Sequence, residues 1–267
     1  MTEDAYKLYN GDCFDVLNDY PSESFDMIFA DPPYFLSNGG LSCQNGKLVP
    51  LNKGKWDKSK GSIAEDFEFH QKWLALCKRL LKPNGTIWVS GTYHNAYSCG
   101  YAMLLMNYHV LNDIAWFKPN ATPNLSCKYF TASHETLIWA KRDKKSKHYF
   151  DYHAMKEGHF PKDFIKKPGN QMRSVWAIPT SPYDEKTFGR HPTQKPLALL
   201  ERIVTASTKE GDLILDPFMG SGTTGVAAVK LGRRFVGVDV EKQYVELAEK
   251  RISDALINRE NRQLVLC

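Results

Sequence analysis

The chain has 267 residues, 42% of them hydrophobic, and a net charge of +5. That is enough to bury one large core with insertions, and no apolar run approaches the roughly 18 residues of a membrane span. Six cysteines, at 13, 43, 77, 99, 127 and 267, form no Cys-x-x-Cys pair. Neither a disulfide framework nor a zinc site is expected, and a cytoplasmic protein without repeats is.

In chain order, Lys7-Leu8-Tyr9 predicts a short strand and Cys13 to Tyr20 a helix, for which Asp12 is a natural N-cap. The apolar run Met27-Ile28-Phe29-Ala30 predicts a buried strand that ends in Asp31-Pro32-Pro33-Tyr34. Proline carries no N–H and has a fixed φ, so the strand stops there with free carbonyls. The Asp31 carboxylate and the Pro32 carbonyl match the two hydrogens of a planar amino group, and Tyr34 offers a stacking face. The plain alternative is turn chemistry with a packing tyrosine. Residues 36–66 then read as a long polar loop with five glycines and five lysines, placed to close over the site and expected to be mobile without a ligand.

Phe67 to Leu81 shows helical spacing, and Lys82-Pro83-Asn84-Gly85 stops it. Strands follow at Thr86 to Ser90, Ile114 to Phe117 and Thr136 to Ala140, with Trp116, Trp139 and Trp176 expected in the core. From Lys141 to Arg173 ten basic residues face four acidic ones, interleaved with Tyr149, Phe150, Tyr152, Phe160 and Phe164. Lys141, Arg142, Lys144, Lys145 and Lys147 are the candidate contacts to a polyanion, against the alternative of a solvated loop. The histidines, His94 and His134 among them, show no metal-ligand spacing.

Pro196 to Ser207 and Gln243 to Leu256 read as helices. Between them the strand Leu213-Ile214-Leu215 leads into Asp216-Pro217-Phe218-Met219-Gly220-Ser221-Gly222-Thr223-Thr224-Gly225. Gly220, Gly222 and Gly225 fit G-x-G-x-x-G between a strand and a helix, and Asp239 ends the next strand, Phe235 to Val238. This suits an adenosine-bearing cofactor, with Asp239 on the ribose hydroxyls; a nicotinamide dehydrogenase is one reading. It leaves Asp31 to Tyr34 and the basic tract unexplained. Alternating strands and helices predict an α/β, doubly wound, mostly parallel Rossmann-like sheet.

Three motifs together resemble a family. Asp216 to Thr224 is similar to the S-adenosylmethionine loop of amino-methyltransferases, and Asp31 to Tyr34 to their catalytic motif. His191-Pro192-Thr193-Gln194-Lys195-Pro196 is similar to the segment before the cofactor strand in the permuted β group. With Ile28 to Phe35 and Pro123-Asn124-Leu125-Ser126, the chain resembles the DpnA-like and HinfI-like adenine-N6 DNA methyltransferases of restriction-modification systems.

The resemblance implies a circularly permuted, seven-stranded-type methyltransferase sheet in one catalytic domain. Residues 118–190 would be an inserted target-recognition region and 191–260 the cofactor half. The catalytic residues would be Asp31, Pro32 and Tyr34. The cofactor set would be Asp12, Asp216, Phe218, Gly220, Ser221, Gly222, Thr223, Asp239, His191 and Thr193. Lys195 would bind the cofactor carboxylate or orient Asp31, unless Lys195-Pro196 is simply a helix start. The substrate would be DNA, duplex or single-stranded, at GATC or else GANTC. The resemblance also implies a homodimer as one arrangement, and a cognate restriction endonuclease by genetic association only. Cytosine N4 and RNA remain alternatives, and so does a non-catalytic DNA-binding module. Cytosine C5 chemistry needs a thiolate, typically in a Pro-Cys pair, and the chain has none.

Overall fold

The structure, a computed structural model, describes residues 5–37, 41–44, 47–50, 54–158, 160, 163 and 165–266. Its first strand, β1 (Tyr6–Asn10), leads into α1 (Cys13–Asn18), which Asp12 caps by accepting the Phe14 N–H at 2.8 Å. Next come β2 (Phe25–Ala30), a hairpin of β3 (Leu41–Gln44) and β4 (Lys47–Pro50), and a single turn at Lys55–Asp57. α2 (Ile63–Leu80) begins four residues before the predicted Phe67, because Ser62 and Glu65 form a reciprocal cap. β5 (Leu81–Gly91), α3 (Ala96–Leu105), β6 (His109–Phe117), β7 (His134–Lys141), α4 (Tyr152–Glu157) and β8 (Val175–Ala177) follow. The chain closes with α5 (Leu197–Ser207), β9 (Leu213–Asp216), α6 (Thr223–Lys230), β10 (Arg234–Asp239) and α7 (Lys242–Leu266).

The main sheet has eight strands in the order β1-β10-β9-β2-β5-β7-β6-β8. All neighbours are parallel except around β7, which runs against both β5 and β6. The first strand of the chain lies on the outer edge of the last, Tyr6 beside Phe235 and Asn10 beside Asp239. That closure is the permutation the motif order implies. Residues 118–190, expected as an insertion, contribute β7 and β8 to this sheet.

Alternation along β2 shows why the sheet is covered twice. Met27 and Phe29 enter a core shared with α5, α6 and α7, while Ile28 and Ala30 enter another formed with α1, α2 and α3. A strand buried on both faces is a parallel-sheet strand. Trp116, Trp139 and Trp176 are buried as expected. No helix among the described residues is long and apolar enough to cross a membrane.

The region expected as one loop, 36–66, contains the hairpin, the Lys55–Asp57 turn and the start of α2. Within it, residues 38–40, 45–46 and 51–53 lie outside the described residues. Asp57 is buried and accepts from the Tyr34 N–H at 2.9 Å, the Leu36 N–H at 3.2 Å and the Ser37 hydroxyl at 2.9 Å. It fixes the chain just beyond the two prolines.

A buried ion pair holds the segment before β8. The Arg202 guanidinium lies 2.8 Å from the Asp163 carboxylate and packs on the rings of Phe160 and Trp176. Asp163 also accepts from the Ile165 and Ala177 N–H groups. Asp163→Ala leaves a buried guanidinium uncompensated, and unfolding in urea is expected to show a loss of about 3–5 kcal/mol. A loss below about 1 kcal/mol would show that the pair is dispensable.

Candidate active site at the carboxyl ends of the strands

Parallel strands end in carbonyls and loops, and in open α/β sheets ligands bind where the strand order switches. Here β1, β10, β9 and β2 end side by side, at Asn10, Asp239, Asp216 and Ala30. A cleft of about 990 Å³, open mouth included, lies over these ends.

Its cofactor half is built around three carboxylates. Asp239 accepts from the Gly220 N–H at 2.9 Å and the Glu241 N–H at 2.8 Å, and burial raises its pKa. Asp12 lines the same cleft while capping α1, so the cap and the cleft wall are one residue. Asp216 is buried at the end of β9, accepting from the Thr224 hydroxyl at 2.6 Å and the Phe218 N–H at 3.1 Å. Burial pushes its pKa up to about 7.

The glycines of the loop have different duties. Gly220 has φ 49° and lines the cleft, and a Cβ there would stand 3.1 Å from the His191 ring. Gly222, with φ 72° at the N-cap of α6, does not line the cleft; a Cβ would meet that of Ala248 at 2.6 Å. Its smallness therefore serves packing of α6 on α7. Ser221 and Thr223 line the cleft, and buried Arg251 donates to the Ser221 carbonyl and the Thr223 hydroxyl from beneath. Phe218 packs edge-on against Trp73. His191 and Thr193 form the opposite wall, the His191 ring stacked with Trp56 and in edge contact with Tyr244.

The catalytic half is a charge network. Asp31, at the cleft wall, accepts from Lys195 Nζ at 2.6 Å on one oxygen and from the Tyr34 hydroxyl at 2.6 Å on the other. The Lys195 contact fits the role of orienting Asp31, and Pro196 also caps the start of α5. Lys195 Nζ also lies 3.4 Å from Glu135, which pairs with Lys118 at 3.0 Å. Burial alone would raise the Glu135 pKa, but the two ammonium groups outweigh it and hold the carboxyl down at about 2. Burial alone would lower Lys195, and Asp31 and Glu135 outweigh it, so its pKa is raised. Two anions and two cations alternate, and each buried charge has a partner.

Two expectations are corrected here. Tyr34 is only 7% exposed and does not line the cleft. Burial and the carboxylates of Asp31 and Glu135 push its phenol well above the ordinary range, so it stays a hydrogen-bond donor. Lys195 Nζ sits 5.4 Å from its ring centroid. In this conformation the ring is a support for Asp31, not an open stacking face. Pro32 is buried, with Pro33 rather than Pro32 lining the cleft.

The second correction concerns Lys141, Arg142, Lys144, Lys145 and Lys147. Because β7 is reversed, Glu135 is at the catalytic end while Lys141 pairs with Thr86 at the amino end of the sheet. Six residues of strand put them about 20 Å apart. Arg142 binds Glu23 and the Leu81 carbonyl, Lys141 the carbonyls of Lys144 and Ser146, and the Lys147 N–H the Asn84 side chain. Lys141 and Arg142 brace the end of the sheet away from the cleft, and Lys144, Lys145 and Lys147 are exposed at that same end.

Sequence reasoning missed Glu135, Lys118 and Asp57. Their signal is tertiary: each acquires meaning from a partner distant in the chain, Lys195 for Glu135 and Tyr34 for Asp57.

The permuted sheet and the acid-lined cleft, with the Asp31 carboxylate at its wall, define a methyltransferase that works from S-adenosylmethionine. A family model described as DNA methylase matches residues 25–250, and the chain belongs to that family. It is 54% identical over 246 residues to the type II methyltransferase M2.DpnII of Streptococcus pneumoniae, covering 92% of this chain and 88% of the relative. To the type II methyltransferase M2.LlaDCHI of Lactococcus lactis subsp. cremoris it is 53% identical over 259 residues, covering 95% and 93%. The crystal structure of an M1.HpyAVI–SAM complex superposes with a TM-score of 0.67 at 26% identity, covering 92% of this chain and 98% of that one. The protein is thus a DNA methyltransferase of the restriction-modification type.

Proposed function

We propose that the protein methylates adenine at N6 within the sequence GATC, with GANTC as the alternative. The observation that carries adenine N6 is the Asp31 carboxylate, held at the cleft wall by Lys195 and Tyr34 and free to accept from an incoming amino group. The likeness to type II relatives supports the DNA site.

The donor set fits S-adenosylmethionine. Asp239 and Asp12 would take the ribose hydroxyls and the adenine edge, and Phe218 would pack against the purine. Asp216 would meet the ammonium group. Ser221, Thr223 and the N–H groups at the start of α6 would receive the carboxylate, where the helix dipole favours an anion. His191 and Thr193 would close the wall. The bound cofactor supplies a methyl group on a sulfonium.

The residues of this chain do the rest. Adenine N6 is a weak nucleophile because its lone pair is delocalised into the ring. A hydrogen bond to the Asp31 carboxylate strengthens as positive charge develops on nitrogen. Lys195, 2.6 Å from the Asp31 carboxylate, fixes it in direction, which turns a mobile carboxylate into a preorganised acceptor. The proton leaves N6 afterwards towards Asp31 and solvent. Since a duplex hides N6, the base has to leave the stack. Incubating oligonucleotide duplexes that hold one GATC or one GANTC with methyl-labelled cofactor tests the site; label in GATC alone is expected, and label in neither would refute it.

Asp216 gives the cofactor site a pH dependence. Its folded pKa, about 7, lies above that of an unfolded carboxyl, so its ionisation lowers stability as pH rises between about 4 and 7. A bound ammonium offsets that loss by favouring the anion. Cofactor affinity measured by calorimetry is therefore expected to rise from pH 5.5 to about 7 and then level off, with a proton released on binding at the acid end. A flat profile would detach Asp216 from the ammonium.

A further inference from the structure

With the basic tract at the far end of the sheet, something else must meet DNA at the catalytic end. The connection between β6 and β7, residues 119–133, leaves from that end, and both of its feet belong to the charge network. Lys118 and Glu135 pair at 3.0 Å, and the Lys118 N–H donates to the Ser133 carbonyl at 2.7 Å, closing the neck.

The loop is internally built. The Asn124 side chain accepts from the Ser126 N–H and hydroxyl and donates to the Tyr129 carbonyl, while its N–H donates to the Thr131 hydroxyl. Asn120 makes two hydrogen bonds of 3.0 Å with Thr180 on the connection after β8. This frame holds up Lys128, Tyr129 and Phe130, all exposed, with Tyr129 at 69% and Phe130 at 97%. Full burial of a phenylalanine side chain is worth about 1.5–3 kcal/mol, and the folded chain forgoes it here. A single exposed apolar residue is ordinary, but here Leu125 and Tyr129 of the same loop are exposed together with Phe130, and such grouped apolar surface suits a contact with a partner. Phe130 is five residues from Glu135, so it lies within about 18 Å of the network that holds Asp31.

We propose that Phe130, flanked by Tyr129, is the wedge that enters the base stack and fills the place vacated by the extruded target, with Lys128 on the adjacent phosphate. The inference rests on the DNA reading above. It follows from chemistry: an aromatic face stacks on any base, and apolar wedges stabilise unstacked steps. The loop's attachment to Lys118 and Glu135 places the wedge and Asp31 on one rigid frame.

Two duplexes separate the wedge from general DNA binding, one with the target adenine correctly paired and one with it mismatched and so already easy to extrude. Phe130→Ala is expected to lower kcat/KM for the paired target about tenfold more than for the mismatched one, and Phe130→Trp to restore most of it. With 2-aminopurine at the target and S-adenosylhomocysteine bound, wild-type protein is expected to raise the emission several-fold and Phe130→Ala far less. Equal losses on both duplexes, or none on either, would overturn the wedge; because Phe130 is so exposed, such a result does not reflect misfolding. If wild-type protein methylates neither duplex nor the corresponding single strand, the DNA reading itself fails, and that is seen before any variant is made.

Discussion

Replacing Asp31 by asparagine is expected to reduce kcat for methyl transfer roughly 10²–10³-fold while leaving cofactor affinity nearly unchanged. The argument is about acceptors. Lys195 Nζ lies 2.6 Å from one Asp31 oxygen and the Tyr34 hydroxyl 2.6 Å from the other. An amide has a single acceptor oxygen, and the ammonium of Lys195 claims it. The NH2 of the asparagine then donates to the Tyr34 oxygen and faces the incoming amino group donor against donor. The charge that should strengthen its hold as N6 becomes cationic is also gone. Single-turnover kinetics with labelled cofactor reads the chemical step directly; a variant within about threefold of wild type would mean that Asp31 does not touch the reacting amine.

Lys195→Met is expected to have an effect of similar size by a different route. Lys195 is 6% exposed and stands between Asp31 and Glu135. Without it the two carboxylates share a buried site, Lys118 compensates only Glu135, and one of them holds a proton near neutral pH. Transfer is expected to fall roughly 10²-fold at pH 7 and to recover in part as pH rises, because alkaline conditions remove the proton that the carboxylate pair shares. The sign is set by the folded state. Lys195 has a raised pKa and Glu135 a lowered one, of about 2, so in wild type the pair stays charged through neutral pH. Removing one partner of such a buried pair also costs about 3–5 kcal/mol, visible in thermal unfolding. A drop in transfer that is independent of pH would show that Lys195 acts by packing alone.

The parts of this site that were readable in the sequence are those governed by local chemistry. Pro32 and Pro33 stop β2 wherever it packs, and Gly220 and Gly222 mark a turn before a helix in any context. The convergence of Asp12 and Asp239 follows once β1 lies beside β10, since the register sets Asn10 against Asp239. The loop at 36–66 shows a local signal that went unused: Asn45-Gly46 between Leu41 to Gln44 and Lys47 to Pro50 is a hairpin sequence, and those flanking residues form β3 and β4. Ser62 and Glu65 likewise announce the start of α2.

What the sequence hides is direction and facing. A run of lysines carries no information about which end of a strand it occupies, and the reversal of β7 puts Lys141 to Lys147 at the wrong end for the cleft. Tyr34 could turn its ring to solvent or inward; the buried network of Ser90, Glu135 and Lys195 draws the hydroxyl in. The exposed rings of Tyr129 and Phe130 are invisible as such, because only the fold shows which apolar residues the core leaves out.

The central claim is that the carboxylate at Asp31 directs a methyl group onto adenine N6. Nucleoside analysis of duplex DNA after incubation with methyl-labelled S-adenosylmethionine tests it most directly, with wild type and Asp31→Asn in parallel. Label in N6-methyladenine with wild type, and a 10²–10³-fold slower rate with the variant, is the predicted result. Label in N4-methylcytosine, or equal rates for the two proteins, would contradict it.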